Sequence, residues 1–79
     1  MAQELVNDAK DVICQTLEID PAQLGLTTHF VDDLGIDSIL IVELKTKFEE
    51  KYGIKIPKED VGSLVTLNDV VAYLTLRLN

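Results

Sequence analysis

Between Glu4 and Leu17 the apolar residues Leu5, Val6, Ala9, Val12, Ile13 and Leu17 recur at offsets of three and four, the spacing that lines one side of an α-helix. The same spacing returns twice. From Ser38 to Tyr52 it is carried by Ile41, Leu44, Phe48 and Tyr52, with Leu40 beside them. From Leu67 onward it is carried by Leu67, Val70, Val71, Leu74 and Leu78, with Tyr73 on the flank. No stretch alternates apolar and polar residues for long enough to make a strand, and no repeat is present. In a chain of 79 residues, three amphipathic helices bury their stripes only against one another. The expectation is an all-α fold: a small four-helix bundle of three long helices and one short one, with a long loop between helices 1 and 2.

Local signals set the element boundaries. Asp20-Pro21 closes the first helix or opens the next turn, because the residue before a proline is pushed out of the helical region. Asp37 or Ser38 supplies an N-cap oxygen for the second helix, and Gly53 is placed to end it in a left-handed conformation. Pro57 is a further break, so Lys58 to about Leu64 forms only a short helical turn, limited by Gly62. Thr66 followed by Asp69 is a variant of the capping box and starts the last helix. Between the first two helices, Ala22 to Asp37 is long but not a solvated linker. It carries Leu24, Leu26, Phe30 and Leu34, all four expected to tuck into the bundle. Loops of this length are uncommon unless functional, which directs attention to the far end, at Ser38.

Composition narrows the function classes. Two Phe, two Tyr and no Trp leave a mainly aliphatic core in a single small domain. Fourteen Asp and Glu against seven Lys and Arg give a net charge of -7, which argues against binding nucleic acid or an anionic membrane. Basic partner surfaces are the natural complement; solubility alone is the other reading of the same charge. The lone Cys14 excludes an internal disulfide and fits a reducing, cytoplasmic setting. On a helical wheel Cys14 falls off the apolar stripe, so a partly exposed thiol is expected. The first residues, MAQELVNDAK, show neither a secretion signal nor a membrane span.

The run LGIDSI, Leu34 to Ile39, sets a serine directly after a glycine turn and before an apolar helix. A hydrolytic serine needs a base and an orienting carboxylate, yet the single histidine, His29, lies nine positions earlier in the loop. A calcium loop running from Asp32 to Glu43 fails in register, with Leu34 and Ile36 at ligand positions and Asp37 where glycine is required. What the position offers is a hydroxyl in the first turn of a helix, among unpaired backbone N–H groups and the positive end of the helix dipole. Such a place suits an attached phosphate. Ser38 as a plain N-cap is the competing reading.

The run FVDDLGIDSILIVEL, followed by KTKFEEKYGIKIP, resembles the acyl carrier proteins: Phe then Asp-Asp-Leu-Gly, an Asp-Ser-Leu type motif, Val-Glu-Leu in the second helix and a closing Ile-Pro. The resemblance covers nearly the whole chain and implies a single acyl carrier domain over residues 1–79. By that resemblance, Ser38 is the residue to which a phosphopantetheinyl transferase attaches 4'-phosphopantetheine from coenzyme A, with Asp37 helping to position it. The distal thiol then carries acyl groups as thioesters, and the chain itself does no catalysis. The implied partners are the transferase, together with ketosynthase, acyltransferase and other synthase enzymes bearing basic docking surfaces. A monomer is implied. Ile39 stands where the family usually has leucine, and Ile36 where peptidyl carriers usually have glycine. These two favour polyketide or specialised lipid synthesis; the function expected is delivery of acyl intermediates to synthase enzymes in polyketide or fatty acid biosynthesis, with a peptidyl or aminoacyl carrier and an unmodified interaction module as alternatives.

A wheel begun at Ile39 puts Ile39, Val42 and Thr46 on one side, opposite the stripe of Ile41, Leu44 and Phe48. Two apolar residues thus face outward beside Ser38, with Asp33, Glu43 and Glu49 among the surrounding acids. The resemblance makes this helix the recognition element for partners.

Overall fold

The computed structural model describes residues 2–78 and is built from four α-helices: α1 (Ala2–Leu17), α2 (Ser38–Tyr52), α3 (Lys58–Val61) and α4 (Leu67–Leu78). Helix α1 starts at Ala2, three residues before Leu5, the first residue of the apolar spacing. Helix α3 stops three residues short of Leu64, where the chain continues in turns closed by Ser63 N–H to Asp60 O (3.1 Å) and Leu64 N–H to Val61 O (3.1 Å).

The two helices that lead into loops end in the same way. In α1 the Ile19 N–H donates to Cys14 O at 3.1 Å across Glu18, whose φ is 56°. In α2 the Ile54 N–H donates to Glu49 O at 3.3 Å across Gly53, whose φ is 63°. Each is a Schellman stop with one left-handed residue and an apolar residue after it, and the apolar residue folds back onto the core. Only the second stop uses glycine.

Asp20 then opens a 3₁₀ turn at Pro21–Gln23. Its carboxylate accepts from Ala22 N–H (2.9 Å), and Gln23 Oε1 accepts from Asp20 N–H (3.1 Å). From there the long loop runs against the entry to α4. Asn68 N–H donates to Leu26 O and Phe30 N–H donates to Val65 O, both at 3.0 Å, and His29 and Thr66 form an isolated antiparallel bridge. Thr66 and Asp69 make the reciprocal cap expected for α4: Asp69 N–H to Thr66 Oγ1 at 3.2 Å and Thr66 N–H to Asp69 Oδ2 at 3.1 Å.

Helix α1 packs against both α2 and α4, and the loop closes the remaining side. The largest fully buried side chains are Ile13 of α1, Leu24 and Phe30 of the loop, Phe48 of α2, and Leu67 and Leu74 of α4. The loop is therefore a structural layer of the bundle.

Three expectations fail on burial. Cys14 is buried, because contact with two helices covers a wider arc of α1 than its apolar stripe; that burial pushes its thiol pKa up. Leu26 is exposed, since the hydrogen bond from Asn68 ties its backbone to the start of α4 and leaves the side chain outside. Leu78 is exposed as well, so the α4 stripe is covered only as far as Leu74. Leu34 is half-buried, and Leu24 and Phe30 are inside as expected.

Candidate functional site

The site is assembled by the last turn of the loop. His29 organises that turn: its N–H donates to Asp33 Oδ2 (2.8 Å), and its Nδ1 accepts from Asp32 N–H (3.0 Å). Its Nε2 lies 3.6 Å from Asp32 Oδ2, so the imidazole is engaged within its own loop. Gly35 has a φ of 68°, which lets the chain reverse so that Ile36 N–H returns to Phe30 O at 3.2 Å. Ile36 is thereby buried, and the following pair, Asp37 and Ser38, emerges at the surface.

Asp37 and Ser38 take different jobs. Asp37 is in extended backbone conformation and its Oδ1 accepts from Leu40 N–H at 3.0 Å, making it the N-cap of α2. Ser38 is the first helical residue; it is exposed, and its hydroxyl takes no part in the cap. The sequence left the cap open between the two; the structure gives it to Asp37.

Beside Ser38 lies a cleft of about 360 Å³, walled by Val31, Ile36, Ile41, Val61 and Leu64 and apolar except where His29, Asp37 and Ser38 meet its edge. Phe30, Ile41 and Leu64 also border a small neighbouring space of about 10 Å³, shared with Leu44, Lys45, Phe48 and Val70. Val31 and Ile36 as cleft residues escaped the sequence reading. Neither belongs to a helical stripe, and only the Gly35 reversal and the Phe30–Val65 hydrogen bond bring them opposite α3.

On the outer side of α2, Ile39 is 74% exposed and Val42 54%. Thr46 continues the same line. Its Oγ1 donates to Val42 O at 3.1 Å, which satisfies the hydroxyl and leaves the methyl as the outward group. Glu43 is exposed next to this line, on the rim of a shallow polar groove between α1 and α2 that also holds Lys47 and Glu50. Asp33 is exposed at the other end of the site, with one oxygen given to His29 N–H.

Glu49 is held differently from the other acids. Its Oε2 accepts from Ile56 N–H at 2.8 Å and lies 3.3 Å from Lys45 Nζ, and its side chain is only 18% exposed. The Ile56 N–H, with smaller help from Lys45, draws its pKa below the usual glutamate value. Glu49 thus ties α2 to the segment entering α3.

A family model described as phosphopantetheine attachment site matches residues 7–74. The chain belongs to this carrier family. Its similarity extends to a meromycolate extension acyl carrier protein of Mycolicibacterium aurum, 43% identical over 91% of this chain and 74% of the relative. An acyl carrier protein of Rhodococcus erythropolis is 38% identical over 91% of this chain and 79% of its own, and one of Helicobacter acinonychis is 46% identical over 89% and 90%. The protein is accordingly a carrier of acyl groups, and its covalent cofactor is 4'-phosphopantetheine. An uncommitted hydroxyl at the head of α2, open to solvent and bordering an apolar cleft, fits such an attached arm. Among the described residues no helix is long and apolar enough to cross a membrane, and no group of acidic, His or Cys side chains is placed to hold a metal ion.

Proposed function

We propose that Ser38 is the attachment residue and that the chain, as one domain over residues 1–79, delivers acyl groups to the enzymes of a fatty acid or polyketide type synthase. The observation that carries this reading is the division of labour at the head of α2: Asp37 caps the helix, so Ser38 is exposed with its hydroxyl free of the capping role. That also weighs against the alternative in which Ser38 is merely a cap. The attached cofactor supplies a thiol at the end of a long flexible arm, where an acyl group is held as a thioester.

The chain's own residues prepare the attachment and leave its chemistry to others. Asp37 Oδ1 is occupied by Leu40 N–H and the His29 ring by its own loop, so the base that takes the Ser38 proton belongs to the transferase. The N–H groups and dipole of α2 stabilise the phosphodiester once formed. The chain then acts as a carrier without catalysis of its own. Its net charge of -7 directs it to basic surfaces on the transferase, ketosynthase and acyltransferase, and away from nucleic acid and membrane. Ile39, Val42 and the Thr46 methyl form the apolar contact on these partners, flanked by Glu43 and Asp33. Glu49 is already engaged with Ile56 and Lys45, which favours a structural duty over docking. The protein works as a cytoplasmic monomer. The names of the relatives, meromycolate extension among them, support lipid synthesis over the peptidyl alternative.

Incubation with coenzyme A and a broad-specificity phosphopantetheinyl transferase tests the assignment by intact mass. A gain of about 340 Da is expected for the parent chain and none for Ser38→Ala. A gain that persists in Ser38→Ala moves the attachment elsewhere, and no gain in the parent rejects attachment and leaves the unmodified interaction module standing. Competition between acyl and aminoacyl donors for the loaded arm separates the acyl from the peptidyl carrier.

A further inference from the structure

The wall of the cleft opposite Ser38 is formed by the segment from Pro57 to Val65, and this segment is fastened mainly at its ends. At one end Ile56 N–H donates to Glu49 Oε2 (2.8 Å); at the other Phe30 N–H donates to Val65 O (3.0 Å), and Val65 N–H donates to Asp69 Oδ2 (3.2 Å). Between these points the backbone bonds close on the segment itself: Asp60 N–H to Pro57 O, Ser63 N–H to Asp60 O and Leu64 N–H to Val61 O. Helix α3 has no side-chain cap, and a Cβ built on Gly62 would meet nothing within 4 Å.

One side-chain hydrogen bond among the described residues joins the middle of this strap to another helix. Tyr73 Oη of α4 lies 2.8 Å from Asp60 Oδ2. Arg77 Nη1 is 2.7 Å from the same Tyr73 oxygen, and its guanidinium sits 5.6 Å over the Tyr73 ring. Arg77 has only protons to give, so the Tyr73 oxygen accepts from it and must spend its own proton on Asp60. The bond therefore runs from hydroxyl to carboxylate, the stronger kind. The strap it restrains carries Val61 and Leu64, and Leu64, with Phe30 and Ile41, borders both the open cleft of about 360 Å³ and the smaller space of about 10 Å³.

We propose that Tyr73, acting through Asp60, is a positioning residue that latches α3 and so limits the length of acyl chain the cleft beside Ser38 can shield. The inference rests on Ser38 bearing the acyl arm. With the latch closed, Leu64 completes the boundary it shares with Phe30 and Ile41, and short chains are covered while long ones remain partly in solvent. With the latch released, α3 moves outward with Val61 and Leu64, the two spaces join, and longer chains enter.

Two measurements decide this. In the unmodified protein, amide hydrogen exchange at Ser63 and Leu64, whose bonds lie within the strap, is expected to accelerate about tenfold in Tyr73→Phe, with α1 and α2 unchanged. In carriers loaded with octanoyl or hexadecanoyl groups, the parent should lose the longer acyl group to hydroxylamine faster. Tyr73→Phe should narrow that ratio by about threefold or more. Asp60→Ala should behave as Tyr73→Phe does, whereas Asp60→Asn, which keeps an acceptor for the hydroxyl, should stay within about twofold of the parent. Unchanged exchange in both Tyr73→Phe and Asp60→Ala overturns the latch, and faster exchange with an unchanged chain-length ratio overturns its role in shielding. Failure of Ser38 to load at all is a different result and rejects the carrier assignment at that residue.

Discussion

Glu18 and Gly53 occupy equivalent positions at the ends of α1 and α2, both left-handed, yet only Gly53 is of a type that adopts this conformation freely. A left-handed conformation costs an L-residue about 1–2 kcal/mol, and glycine's extra freedom in the unfolded chain returns part of that. Glu18→Gly is therefore expected to stabilise the protein by about 0.5 kcal/mol, raising Tm by roughly 2–4 °C. Gly53→Ala is expected to lower stability by about 1 kcal/mol, because the methyl meets no clash but the φ of 63° remains. Thermal unfolding of the two variants checks both signs; a Glu18→Gly protein less stable than its parent would show that the glutamate makes a compensating interaction. Gly53 was legible in the sequence through its place after a helical stripe. Glu18 was not, since the left-handed turn there is imposed by the return of Ile19 to the core.

Helix α2 faces in two directions, and the two faces obey different rules. Leu44 and Phe48 are buried, while Ile39 and Val42 stand in water on the face proposed above for partner contact. Loss of this apolar pair to a charge should leave folding intact, because neither side chain is part of the core. Val42→Glu is thus expected to keep the parent's Tm within a few degrees and to slow acyl transfer by partner enzymes about tenfold, as does Glu43→Lys through weaker steering. Stopped-flow transfer rates at two salt concentrations separate the effects, since only the Glu43→Lys defect should shrink as salt rises. Equal transfer by parent and variants would remove this face from the interface. Exposure of Ile39 and Val42 was legible from the wheel. The engagement of Glu49 was not: a wheel shows which way a residue points but nothing of the Ile56 N–H that reaches it from another segment.

Taken over its full extent, the protein confines a charge of -7 to a body with a radius of gyration of 11.4 Å, a size comparable to the Debye length in about 0.1 M salt. Self-repulsion of that density opposes folding, and among the described residues the one ion pair between fully charged side chains, Lys45–Glu49, does little to offset it. Raising sodium chloride from about 10 to 200 mM is therefore expected to lift Tm by several degrees. A Tm indifferent to salt would mean that the acids lie too far apart to repel. The three long helices, their caps at Thr66 and Gly53, and the serine at the head of α2 could all be read from the chain before folding, because each depends on neighbours within one or two turns. Folding was needed to place Cys14 inside and Leu26 outside, to set Val31 and Ile36 across a cleft from α3, and to bring Tyr73 onto Asp60. These depend on which surfaces meet when the loop folds across the bundle, and segments distant along the chain leave no mark on each other's local periodicity.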